Sequence, residues 1–86
     1  MMTVKEFKVV TVSKNTNSFG LYGVIVMARD GEAWELGKSY FNLPKKSATV
    51  LVPVQPFGLD WNVLGFEIPR KLMRAPKRVA KQVWEG

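Results

Sequence analysis

The sequence predicts a mainly β fold: a small five-stranded antiparallel barrel or half-barrel, SH3-like or OB-like, carrying a short amphipathic basic helix at its C-terminus. Three observations predict it. β-Branched and aromatic residues recur in short runs separated by Gly-, Pro- and Asn-rich breaks, the pattern of strands joined by tight turns. One break is Asp30-Gly31 between two such runs, a dipeptide suited to the positive φ angles of a type I′ hairpin turn. The apolar period changes from two to 3.6 residues only after Pro76.

Thr3 to Lys14 is the first predicted strand, with Phe7, Val9 and Thr11 on one face and Lys8, Val10 and Val12 on the other. Asn15 to Gly20 gathers turn formers, and the apolar run Leu21 to Ala28 follows as a central strand buried on both faces. Glu32 to Lys38 alternates as the second arm of the Asp30-Gly31 hairpin. After a break at Leu43 to Ser47, Ala48 to Val54 is the fourth strand; Pro53 lacks a ladder donor and places it at an edge or a strand end. Gln55-Pro56-Phe57-Gly58 closes it. Trp61 to Ile68 is the fifth strand, with Gly65 as a bulge or bend and Pro69 as its end. Pro76 suits the first position of a helix. From there Val79, Ala80, Val83 and Trp84 share one helical face, and Lys77, Arg78, Lys81 and Gln82 the other. A helix this short is marginal by itself, so its apolar face is expected to dock on the barrel or on a second subunit.

The 86 residues are read as one domain, with residues 1–68 forming the β-barrel and residues 69–86 a basic helical segment packed on it. The chain has no Cys and no His, which removes the two commonest zinc ligands and the disulfide option; no metal and no cofactor are expected. The longest apolar run, Leu21 to Ala28, is far short of a membrane span. The opening residues lack the pattern of a signal peptide, and a cytoplasmic location is expected. Neither a phosphate loop nor a nucleophile motif occurs. Without His or Cys, and with its carboxylates scattered, the chain is read as a non-enzyme.

Charge is the informative asymmetry. Residues 1–68 carry seven Lys/Arg against six Asp/Glu, whereas Pro69 to Gly86 carries six cations against Glu85 alone. Clustered charge of one sign builds a field that scattered charge does not, and it points to an anionic partner. Nucleic acid is the leading one, with DNA slightly ahead of RNA. The expected phosphate contacts are Arg70, Lys71, Arg74, Lys77, Arg78 and Lys81, supplemented by Lys45 and Lys46. Phe7, Trp34, Phe41 and Phe66 are assigned to the core. Phe19 and Phe57 sit beside glycines in turns; folding back over a barrel end is their expected state, and exposure would make them candidates for base stacking. The competing reading is a protein-interaction or assembly module using the Ala48 to Val54 edge and the Trp84 face, and a homodimer is compatible with both. A third reading takes Lys77 to Trp84 as a membrane-surface helix.

Overall fold

The computed structural model describes residues 3–86. Six strands, β1 (Thr3–Thr16), β2 (Tyr22–Met27), β3 (Ala33–Lys38), β4 (Thr49–Gln55), β5 (Gly58–Leu59) and β6 (Phe66–Lys71), form one antiparallel sheet, and a helix, α1 (Lys77–Glu85), ends the chain. The sheet order is β5-β4-β1-β2-β3-β6, a half-barrel with a short C-terminal helix. One strand more than expected arises because the Pro56-Phe57 turn folds Gly58 and Leu59 back onto Val54 and Gln55.

β1 organises the fold. Its first half pairs with β4, from Thr3↔Val54 to Lys8↔Thr49, and its second half with β2, from Lys8↔Met27 to Thr16↔Tyr22. A bulge at Val10 interrupts the half paired with β2, and the extra residue resets the alternation. Phe7 and Val9 join the inner core, as does Val12 beyond the bulge, while Val10 packs with the helix. The expected grouping of Thr11 with Phe7, and of Val12 with Lys8, is therefore corrected by one inserted residue; Thr11 is exposed.

The inner face carries Phe7, Val9, Val24, Val26, Ala28, Leu36, Val52, Trp61 and Phe66. Trp61 is central, its ring 5.1 Å from Phe7, 5.5 Å from Trp34 and 5.9 Å from Phe66. It belongs to a 3-10 turn, Trp61–Leu64, rather than to the fifth strand. Gly65 closes that turn at φ 78° with its N–H on Asn62 O, a left-handed cap and not a strand bulge. Strand β6 then begins at Phe66 and runs through Pro69. Its register with β3 steps from Gly37↔Glu67 to Glu35↔Arg70, and Ile68 takes φ 50° within that step. Pro69 is tolerated because it lies in a bulge on an edge strand, where no ladder donor is required.

The β2–β3 turn also differs from expectation. Gly31 N–H donates to Ala28 O at 3.0 Å and Ala28 N–H to Glu32 O at 2.8 Å, and only Gly31 of the pair has positive φ. That is a three-residue loop in which glycine supplies the bulge position, not the two-residue turn with both central residues left-handed. The β1–β2 turn repeats the device, with Gly20 N–H on Asn17 O and Asn17 N–H on Leu21 O.

Helix α1 lies on the other face of the sheet. Ala80, fully buried, packs with Met27 and Ala33, and Val10, Leu72, Ala75, Val79 and Val83 surround them. Pro76 is the N-cap, one position earlier than expected. The helix is anchored before it starts: Leu72 N–H donates to Ala33 O and Ala75 N–H to Gly31 O, both at 2.9 Å. No described helix is long and apolar enough to cross a membrane.

Candidate functional site

The exposed face of α1 follows from how its apolar face is used. Val79, Ala80 and Val83 are consumed against the sheet, which turns Lys77, Arg78, Lys81 and Gln82 outward; all four are exposed. Trp84 fixes the last turn. Its indole N–H donates to Met27 O at 3.1 Å, the Arg29 guanidinium lies 4.1 Å from its ring centroid, and Lys8 Nζ lies 5.3 Å from the same ring. Lys8 also donates to Trp84 O at 3.1 Å, placing a cation where the helix has unpaired carbonyls and the negative end of its dipole.

The eight cations singled out in the sequence do not form one group. Arg70 is engaged by Glu35, its cross-strand partner in the β3–β6 register. Arg74 donates to Asp30 O at 2.9 Å and lies 3.5 Å from Asp30 Oδ2. Both neutralise acids of the body. Lys71, at the end of β6, is close enough to Glu32 to favour its charged form. Lys77, Arg78 and Lys81 have no acidic partner among the described residues and share the outer face of the helix. Lys46 joins them from the β3–β4 loop, since it lines, with Ser47, Gln82 and Gly86, a cleft at the helix C-terminus; Lys45 is its exposed neighbour. On the other side of the helix, Lys77, Lys81, Trp84 and Arg29 line a second cleft together with Ala80 and Glu85. Arg29 and Lys8 were not among the expected site residues. Their approach to α1 depends on strand register and helix docking, and no local signal in the sequence carries it.

The acids of the body are largely spoken for. Glu6 pairs with Arg29 at 2.9 Å, Asp30 with Lys5 at 3.0 Å, and Glu32 with Lys5 at 2.5 Å. The Glu32 N–H and then the Lys5 ammonium, both hydrogen-bonded to Asp30, pull its carboxyl down to about 2. Burial pushes Glu32 up, but Lys5 and the Trp34 indole N–H, with the charges of Lys5 and Lys71, outweigh it, and the net shift is downward. Burial likewise opposes the Lys5 charge, yet its two carboxylates raise it. This cluster is a structural ion network beneath the helix entry. Among the described residues, no group of three or more Asp or Glu side chains gathers to hold a metal ion.

The exposed aromatics lie in turns and not on α1. Phe19 is 73% exposed and Phe57 fully so, which overturns the expectation that they fold back over the barrel ends. Phe19 occupies the β1–β2 turn and Phe57 the β4–β5 turn, at opposite ends of the 14-residue β1, and neither stacks with another ring. Phe41 is a second correction: it is 76% exposed beside Tyr40, at 74%, with ring centroids 6.3 Å apart. Its carbonyl explains the loop geometry. Lys38, only 6% exposed, reaches up from the end of β3 to donate to Phe41 O at 2.6 Å, so the backbone of this loop is held inward while its two rings point out.

No known protein family matches the chain, and neither does any curated protein sequence or solved structure.

Proposed function

We propose that this protein is a small nucleic-acid-binding β module that holds phosphates on the outer face of α1, with DNA the favoured partner. Lys77, Arg78 and Lys81 form the centre of the contact, Lys46 and Lys45 extend it past the helix C-terminus, and Lys71 flanks it. One observation carries the reading: the apolar face of α1 is spent on the sheet, so three cations without acidic partners among the described residues stand outward on a docked helix. Four acids of the body, Glu6, Asp30, Glu32 and Glu35, are engaged in ion pairs, which leaves Glu85 as the acid beside the three cations on α1. Arg70 and Arg74 belong to those pairs and are assigned to stability rather than to binding.

The test is a fluorescence-anisotropy titration against labelled DNA across a salt series. With about four phosphates neutralised, log K is expected to fall against log salt with a slope of about −3.5 on duplex DNA. Neutralising Lys77, Arg78 and Lys81 together to Gln should flatten that slope by about 2.7, at roughly 0.9 per contact, while the thermal midpoint stays where it was. An unchanged slope in the triple variant would refute this face as the contact.

A second reading, a protein-interaction or assembly module, is favoured by one feature. β5 pairs with Val54 and Gln55, so among the described residues the rest of that β4 edge has no strand partner, and Val4 and Leu51 are exposed on the neighbouring face. Strand addition at this edge would complete the sheet. Sedimentation at high protein concentration distinguishes it: a concentration-dependent dimer abolished by Leu51→Lys supports assembly through β4, and a strict monomer argues against it.

A further inference from the structure

Resting on the nucleic-acid reading, we infer that the ligand of this face is a duplex, gripped through its phosphates without base stacking. The inference comes from where the aromatic side chains are not. A protein that holds single strands pairs a cationic groove with rings on which successive bases stack. Here the cationic face has one aromatic residue, Trp84, and its ring is already taken by the Arg29 guanidinium at 4.1 Å and by Lys8 at 5.3 Å.

The exposed rings lie elsewhere. Phe19 and the Tyr40–Phe41 pair are at the end of the sheet where Thr16, Tyr22 and Lys38 align. The helix starts from the opposite end, at Met27, Ala33 and Gly31, and reaches Val10 midway along β1. From the level of Val10, between the Val9↔Val26 and Thr11↔Ile25 pairs, β2 runs on for about 10 Å to Tyr22. Phe57 is on the β4–β5 turn at the Thr3 end of β1. The exposed rings of Phe19, Tyr40, Phe41 and Phe57 all lie in turns rather than on α1, and Trp84, which shares a cleft with Lys77 and Lys81, is covered by Arg29 and Lys8.

Charge density then decides between ligands. A duplex offers one charge per roughly 1.7 Å of axis, twice the density of one strand, and is stiff. A flexible strand must be ordered on the protein, and without stacking only the phosphate contacts offset that entropy. Three fixed cations on a nine-residue helix, about 13 Å long, therefore favour the stiffer and denser polyanion. Lys77 and Lys81 act as point charges and only Arg78 carries a directional fork, so little discrimination among base sequences is expected.

The experiment measures anisotropy with single-stranded DNA, duplex DNA and duplex RNA of equal length, for the native protein and for a Phe19→Ala/Phe57→Ala/Tyr40→Ala/Phe41→Ala variant whose exposed side chains leave the core untouched. The expected result is duplex binding at least ten-fold tighter than single-strand binding, with the four-ring variant within two-fold of the native protein on every ligand. Each stacked base lost would weaken binding roughly five-fold or more. Equal or tighter binding of the single strand, or a five-fold loss in the four-ring variant, overturns the duplex inference while leaving the nucleic-acid reading in place. Absence of binding to all three ligands at low salt overturns both. The two duplexes rank DNA against RNA as the source of the backbone.

Discussion

At the scale of single residues, glycine separates positions that look alike in the sequence. Gly20 and Gly31 both end β-turns with positive φ, 75° and 92°. A Cβ on Gly20 would meet open space, whereas one on Gly31 would fall 2.3 Å from Ala75 O. Gly20→Ala is therefore expected to cost about 1 kcal/mol, from backbone strain alone. Gly31→Ala should cost on the order of 2–3 kcal/mol, because it also breaks the Ala75–Gly31 hydrogen bond that leads into the helix. Urea denaturation of the two variants checks the ordering. Asp30, one residue away, sets the acid behaviour. Its folded-state carboxyl titrates at about 2 against an ordinary 3.8, so its contribution to stability is full above that ordinary value and is lost as pH falls toward 2. Glu32, also shifted downward, acts in the same direction, whereas Lys5, shifted upward, loses its contribution only in strongly alkaline solution. Urea midpoints between pH 7 and pH 2 should fall less steeply in Asp30→Asn than in the native protein; equal steepness would remove Asp30 from the acid response.

At the scale of elements, the helix was the most legible part of the chain and β6 the least. The 3.6-residue period after Pro76 placed Val79, Ala80, Val83 and Trp84 on one face, and these are the residues that meet the sheet. Period alone could not show how close that meeting is. Ala80 has no exposed surface, so the helix approaches the sheet to within the size of a methyl group there. Ala80→Leu is expected to cost about 1–3 kcal/mol by overpacking, and hydrogen exchange should show α1 loosening before the sheet does. If exchange in α1 is unchanged, the helix is not held at this point. β6 misled because a proline ordinarily ends a strand, and only pairing with β3 reveals a bulge that needs no donor from Pro69. The Trp61 segment misled for a related reason: WNVL reads as strand by composition, while the buried Trp61 ring, surrounded by Phe7, Trp34 and Phe66, is better served by a 3-10 turn.

At the scale of the whole molecule, the net charge of +6 is sorted by the fold into paired and unpaired cations. Lys5, Arg29, Arg70 and Arg74 hold acids of the body; of the cations without an ion pair among the described residues, Lys77, Arg78 and Lys81 are on α1, Lys46 is at its C-terminal end and Lys14 stands at the far end of β1. The charge asymmetry of the C-terminal segment was visible in the residues themselves, but its division was not. Arg70, Arg74 and Arg78, evenly spaced in the chain, end on a strand, a connector and a helix, and only Arg78 stays unpaired. By itself the sequence determined the strand-rich class, the amphipathic helix and the presence of a cationic end, because periodicity and composition are local properties of consecutive residues. Only the tertiary structure decided which cations remain free, that Arg29 and Lys8 flank Trp84, and that the exposed rings stand at separate ends of the sheet. Those are distances between residues far apart in the chain, and they are set by strand register and by the docking of one helix on one face.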